Sequence, residues 1–270
     1  MGHQRGEGVD VRKKVVILGC GPAGLLAALA SRQYGAEVTI ISVKEKSRIH
    51  GAQYLHRQIE GLSPRFAQVV FKKMGDKSIY AYKVYQDAER DCSWDKFEDG
   101  VYRAWSMRDA YDQLWAAFER DIIDVKITPQ YLDKLEGSGY DLLISTIPAR
   151  HMCEREDHTF IGKSMWVTNG NGIEFQDKGQ NIIIYSGTWN NSWYRYSSLF
   201  GHSFYEFGHS RQFAVKGIKP VSHDCDCRPR WTRMGRFGKW ERGVLVHNAY
   251  EGTIDALHEL SPKSQAGSRA

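Results

Sequence analysis

A chain of 270 residues that is 41% hydrophobic and 26% charged is long enough to bury a substantial core in one or two domains. It has no run of eighteen apolar residues, which excludes a helical membrane span, and its net charge of +5 permits an anionic partner without selecting one. Five cysteines, an odd number, argue against a disulfide framework, and the polar N-terminal tail carries no secretory apolar region, so a cytoplasmic protein is expected.

The first ordered stretch is VVILGCGPAGLLAALASRQYGAEVTIIS, residues 15–42. Val15 to Leu18 form a short branched apolar run, as in a buried parallel strand. Gly19, Gly21 and Gly24 follow at the spacing of a dinucleotide turn: one glycine for the bend, one for close approach of a pyrophosphate, one for packing of helix on strand. Pro22 suits the first turn of the Ala- and Leu-rich helix, which stops at Gly35. Its N-terminal N–H groups and dipole would face a phosphate, and Val38 to Ile41 complete a strand–helix–strand unit.

The wording GCGPAGLLAAL, with Pro22 and Ala23 inside the turn, resembles the FAD signature of two-dinucleotide-domain flavoproteins. In that family the second strand ends in Glu or Asp, which binds the adenosine ribose; this chain has Ser42 there. Glu45 can supply the carboxylate from the following loop. Alternatively, Ser42 with Lys44 suits a 2′-phosphate, which would mean NADP. Further on, Gly51-Ala52-Gln53 looks like a variant of the loop that runs along the cofactor toward the flavin. His56 lies just beyond it and is a candidate substrate contact, although a core or surface histidine is the stronger reading from the sequence.

From Pro64 to Arg103 the apolar signal alternates. Residues 78–85, SIYAYKVY, predict a strand with Tyr80, Tyr82 and Val84 on one face, and Asp87 to Gly100 a polar hairpin or loop. Ser106 and Asp109 resemble a capping box opening a helix whose stripe is Tyr111, Leu114, Trp115 and Phe118. Residues 122–127 predict a strand, and after a turn YDLLISTIPA, residues 140–149, predicts another. That segment resembles the return to the FAD domain in UDP-galactopyranose mutase and the related amine oxidases and protoporphyrinogen oxidases, with Pro148 on the cofactor side.

Short strands return at 165–167, 173–175 and 181–185. In 193–201, WYRYSSLFG, Tyr194 and Arg195 are similar to the mutase pattern of a substrate-facing Tyr-Arg pair, with a structural salt bridge as the competing reading of the arginine. Arg233 to Leu260 resembles the closing FAD motif of the same group: Gly235 and Arg236 match its Gly-Arg pair, and a final helix starting near Asn248 or Ala249 would aim its N-terminus at the flavin.

Two other clusters bear on function. His151, Cys153 and His158, and His223, Cys225 and Cys227, offer metal-ligand types, but Cys-x-Cys is not zinc-finger spacing and no metal is assigned. Lys219 to Arg242 carries seven basic and three acidic residues among Trp231, Phe237 and Trp240, a pattern that can hold nucleic acid but equally serves a dinucleotide pyrophosphate; nucleic acid is not favoured. No Ser-His-Asp arrangement, Walker A loop or HExxH motif is present.

The expected protein is therefore an α/β chain with a Rossmann-type FAD/NAD(P)-binding domain and an inserted, mainly antiparallel β substrate domain. The FAD domain takes 13–63, 106–150 and 231–262, and the substrate domain 64–105 and 151–230. The resemblance implies FAD and an oxidoreductase passing hydride between a small or nucleotide-like substrate and flavin N5, with no general base identified. Alternatives are a mutase-like non-redox flavoenzyme on a nucleotide sugar, an NADP-dependent reductase, and a non-catalytic nucleotide- or nucleic-acid-binding module.

Overall fold

The structure, a computed structural model, describes residues 12–51, 53–96, 98–170 and 179–260. Two sheets organise it. Sheet A has five parallel strands: β1 (Lys14–Leu18), β2 (Glu37–Ser42), β6 (Ile122–Asp124), β7 (Leu142–Ser145) and β13 (Trp231–Arg233), in the order β13-β7-β1-β2-β6. Central β1 is covered on both faces, which is why it reads as a continuous apolar run: Val15, Val16, Ile17 and Leu18 are all fully buried.

Helix α1 (Pro22–Gln33) crosses from β1 to β2 and buries Leu25, Leu26, Ala27, Ala28 and Ala30. Each large side chain removed from water there stabilises the fold by about 1.5–3 kcal/mol. Helix α3 (Met107–Phe118) packs on the same core with Tyr111, Leu114 and Phe118, and it opens as its sequence predicts: the Ser106 Oγ accepts from Asp109 N at 3.2 Å. Helix α6 (Asn248–Glu259) completes this layer through Ala249, Tyr250 and Leu257, starting where the closing motif places it.

Sheet B has eight strands in the order β12-β8-β11-β10-β9-β4-β5-β3: β3 (Tyr54–Leu55), β4 (Phe66–Gly75), β5 (Gly100–Ser106), β8 (Phe160–Asn169), β9 (Ile182–Gly187), β10 (Arg195–Leu199), β11 (His202–Phe207) and β12 (Val215–His223). It is antiparallel except for β4 beside β9, the pair contributed by chain segments far apart in sequence. Strands of 64–105 and 151–230 lie in sheet B and those of 106–150 and 231–260 in sheet A; Tyr54–Leu55 also joins sheet B, pairing with the end of β5. Residues 173–175 and 261–262 lie outside the described residues.

The structure corrects three local expectations. Residues 77–85 form helix α2 (Lys77–Tyr85), not a strand. The Asp76 carboxylate accepts from Ser78 N at 2.7 Å, and Tyr80 and Ala81 with half-buried Val84 make a helical face that happens to alternate over its aromatic positions. The turn before residue 140 contains helix α4 (Pro129–Glu136), capped by Thr128 with proline in its first turn. The polar stretch 87–100 includes a short 3₁₀ turn, Ser93–Lys96, beside fully buried Cys92.

Candidate functional site

The glycine turn is built as its spacing requires. Gly19 sits at φ +101°, its N–H donates to Ile41 O at 2.9 Å, and a Cβ there would lie 2.6 Å from Thr146 Oγ1. A Cβ on Gly24 would lie 1.9 Å from Gly19 O, so the helix can approach the strand only without a side chain. Gly21 differs from both. A Cβ there would meet only Ser47 Oγ within 4 Å, at 3.8 Å, and the residue has ordinary extended backbone. Thus Gly19 and Gly24 are required by the protein's own packing, whereas Gly21 faces open space beside the helix N-terminus. No side chain caps α1, so the first-turn N–H groups of Ala23 and Gly24, behind Pro22, point at that space.

Ser47 connects this turn to a cleft of about 560 Å³ lined by the loop after β2, the start of α3 and residues of β8 and β11 in sheet B. Ser47 N donates to Tyr111 OH at 3.1 Å, and that hydroxyl donates to Cys20 O at 3.0 Å, fixing the loop against the turn. Arg48 and Arg108 both face the cleft and both depress the His50 pKa, after burial as the largest cause. The Arg108 pKa is itself lowered by burial, and its guanidinium lies 5.3 Å from the centre of the Phe204 ring. Lys46 and Arg65 line the same cleft but are paired with Asp112 at 2.5 Å and Asp109 at 2.6 Å.

At the end of β2, half-buried Ser42 accepts from Val125 N through its carbonyl and lies in register with Asp124 of β6. Lys44 N donates to Asp124 Oδ1 at 3.0 Å. Exposed Glu45 turns its carbonyl toward Cys20 Sγ, 3.7 Å away. The carboxylate placed beside the end of β2 is therefore that of Asp124, from the neighbouring strand, and Glu45 contributes its backbone carbonyl to the loop.

The closing segment returns to this turn. Helix α5 (Gly235–Lys239) begins at Gly235, where a Cβ would lie 2.7 Å from Ala23 Cβ. Thr146, just before Pro148, donates Oγ1–H to Leu18 O at 2.8 Å and touches both Gly19 and Gly24. Pro148 itself leads into the 3₁₀ turn Ala149–His151. Gln53 donates Nε2–H to His50 O at 2.9 Å. His56 packs on Tyr54, with ring centres 4.4 Å apart, and faces His247, the residue before α6, at 5.7 Å. Burial, then His247, lowers its pKa to about 4, so it is neutral at physiological pH.

Tyr194 and Arg195 are placed differently from the expected substrate-facing pair. Tyr194 is 2% exposed and donates its hydroxyl to Glu206 Oε2 at 2.9 Å, so it belongs to the core. Arg195 uses Nε, at 2.9 Å, and Nη2 on Glu206 Oε1. Lys219 Nζ completes the network, 3.0 Å from both Glu206 Oε2 and Tyr194 OH. Glu206 is fully buried; burial raises its pKa but Arg195 and Lys219 outweigh that and leave it at about 2. The salt-bridge reading of Arg195 thus describes the geometry. Arg236 lies next to this cluster, donating Nε–H to Val244 O at 3.3 Å, with its pKa lowered by burial and then by Arg195.

Sequence reasoning missed Arg48, Arg108, Asp124, Glu206 and Lys219. Only Arg108 carried a readable signal, since it falls in the first turn after the Ser106 cap. Arg48 sits in a loop with no local signal, and Asp124, Glu206 and Lys219 acquire their roles only through the order of the strands.

No protein-family model matches the chain, nor does any curated protein. Solved structures do match. MibH, a tryptophan 5-halogenase, superposes with TM-score 0.56 at 12% identity over 92% of this chain and 67% of its own. A flavoprotein/dehydrogenase from Cytophaga hutchinsonii gives 0.50 at 11% identity over 92% and 78%. At these identities the likeness shows the fold alone, a Rossmann-type parallel sheet joined to a second, mainly antiparallel sheet.

Proposed function

We propose that the chain binds FAD at the glycine turn and works as an FAD-dependent oxidoreductase. The observation that carries this reading is the open face of Gly21: the turn is packed tightly at Gly19 and Gly24 and left clear where a pyrophosphate would approach. The donor set fits such a group. Uncapped N–H groups of α1 meet its phosphates, Arg48 and Arg108 supply positive charge in the adjoining cleft, and the second oxygen of Asp124 receives the ribose hydroxyls. That carboxylate also disfavours the 2′-phosphate reading of Ser42 and Lys44, because it would repel an added dianion.

The flavin supplies hydride transfer at N5 when bound. The chain's part is to hold and screen it. The start of α6, with neutral His56 packed near His247, puts helix-end donors and an apolar ring face at the junction of the two sheets. The network of Arg195, Glu206 and Lys219 braces the sheet B side of that junction: a Cβ on Gly51 would lie 2.8 Å from Glu206 Oε1, so the loop from β2 rests directly on it. A small or nucleotide-like substrate would enter from the cleft, with no membrane and no nucleic acid required. The mutase-like reading shares the cofactor and differs in net redox change.

Titrating the purified protein with FAD tests the reading. Gly21→Val should fold, because its backbone conformation suits any residue and only Ser47 Oγ lies within 4 Å. It should weaken FAD on the order of 100-fold, or about 2.7 kcal/mol. Unchanged affinity in this variant would remove FAD from the assigned turn. Anaerobic mixing with substrates of each class then separates the readings: net oxidation bleaches the bands of the oxidised flavin, whereas mutase-like turnover requires flavin reduced beforehand with dithionite and leaves it reduced.

A further inference from the structure

Three thiols and one imidazole converge away from the cofactor turn. Cys153 and His158 lie in the connection from β7 to β8, and Cys225 and Cys227 in the connection from β12 to β13. Cys153 Sγ is 3.3 Å from His158 Nδ1, Cys227 Sγ is 3.6 Å from the same nitrogen, and the two sulfurs are 4.0 Å apart. All four potential ligand atoms lie within 4.8 Å of one another. A tetrahedral zinc with Zn–S of about 2.3 Å and Zn–N of about 2.05 Å requires S···S near 3.8 Å and S···N near 3.5 Å. A disulfide is a poor account of the same atoms: its sulfurs would be about 2.05 Å apart, and all five cysteines here are free.

The surroundings fit a metal as well as the four atoms do. His158 presents Nδ1 to the sulfurs while its Nε2 lies 3.6 Å from Asp226 Oδ1, the outer carboxylate that commonly orients a ligating histidine. Arg233 donates Nη1–H to Cys225 O at 3.2 Å, and Nη2–H to Cys227 O at 2.7 Å and to Cys225 Sγ at 3.4 Å. It thereby folds the Cys-x-Cys segment so that both thiols face one point, and it offsets the net negative charge of three thiolates around a dication. Asp224 fixes the facing connection by accepting from Thr159 N and Oγ1 at 2.7 and 2.9 Å. His223 and His151 are not members. His223 accepts from Cys225 N and stacks on Phe160.

We propose that Cys153, His158, Cys225 and Cys227 form a structural zinc site that fastens sheet B to sheet A. Four protein ligands close the tetrahedron and leave no position for a reacting water, which assigns the ion to structure, not catalysis. The place is informative. On one side Phe160 pairs with His223 at the outer end of β8 and β12; on the other the chain enters sheet A at Trp231. The site thus ties two long connections at the seam between the layers. The sequence offers these residues as ligand types in two separate clusters but not as one set, because 66 residues lie between His158 and Cys225 and only the pairing of β8 with β12 brings Cys-x₄-His and Cys-x-Cys together.

Zinc content of the full-length protein, expressed in zinc-replete medium and purified without chelator, tests this independently of flavin. Elemental analysis should find one zinc per chain, and Cys227→Ser and His158→Ala should each lose it. Because those variants can misfold, two readouts stand beside them. Asp226→Asn keeps all four ligands and should weaken zinc roughly 10- to 100-fold in competition with a chromogenic chelator. Cobalt added to the zinc-stripped wild-type protein should give the intense visible bands of a tetrahedral thiolate site. Stripping zinc should lower the melting midpoint by on the order of 10 °C. Zinc-free wild-type protein that takes up neither zinc nor cobalt, or a Cys153–Cys227 disulfide in the purified chain, would overturn the proposal.

Discussion

The two sheets handle charge in opposite ways. At the turn of sheet A the donors are backbone N–H groups at an uncapped helix end, with arginines in the adjoining cleft, and the space before Gly21 is clear. In sheet B the strong cations are already engaged: Arg195 and Lys219 both bind fully buried Glu206, which also accepts from Tyr194. The difference teaches that an arginine near an interdomain cleft is not by itself a ligand contact. What separates a site from a brace is whether the protein supplies the counter-ion.

That comparison can be broken most forcefully within the turn itself. Gly24→Ala puts a Cβ 1.9 Å from Gly19 O, and because that neighbour is backbone it cannot swing aside. It should cost about 4 kcal/mol or more, read as loss of the cooperative thermal transition, whereas Gly21→Val should melt with the wild type. Equal melting of both variants would mean that the two glycines do not divide between packing and ligand approach.

The brace is tested by Glu206→Gln, which leaves Arg195 and Lys219 without their carboxylate. Removing one partner of a buried pair should destabilise by about 3–5 kcal/mol in urea unfolding, and adding Arg195→Met should recover part of the loss. A small effect of Glu206→Gln alone would return Arg195 to the list of substrate contacts.

Acid probes the same network. The folded Glu206 pKa, about 2, lies below its ordinary value of 4.5. Its ionised form therefore adds stability that is fully present above pH 4.5 and is lost as pH falls from there toward 2. Wild-type protein should show this acid loss by circular dichroism, and Glu206→Gln should show less of it. An unchanged slope would contradict the assignment.

The two smallest expected effects set the cleft against the brace. Arg108→Ala should weaken FAD about tenfold, near 1.4 kcal/mol, with little change in melting temperature, since its environment is open to the cleft. Tyr194→Phe should do the reverse, lowering stability by about 1 kcal/mol and leaving FAD affinity alone.

Sheet A was legible because its signals are local. A buried apolar strand, a glycine spacing and a proline at a helix start all lie within residues 15–42, and the Ser106 cap and the helix near Asn248 are equally self-contained. Sheet B was legible only in outline. The alternation of Tyr80, Tyr82 and Val84 looks like a strand until Asp76 is seen to cap a helix, and Thr128-Pro129 was a start signal passed over. The role of Arg195 was hidden for a different reason: Glu206 lies opposite it only through the register of β10 and β11. Asp124 reaches Ser42 in the same way, by the pairing of β2 with β6.

The central claim is that the open glycine turn holds FAD, and the most direct measurement is the stoichiometry of FAD uptake by wild type and Gly21→Val, followed by flavin absorbance and calorimetry on the same samples. The account predicts one FAD per wild-type chain and a variant that melts normally yet binds on the order of 100-fold more weakly. Wild-type protein that takes up no FAD, or a variant that binds it as tightly, would contradict the account.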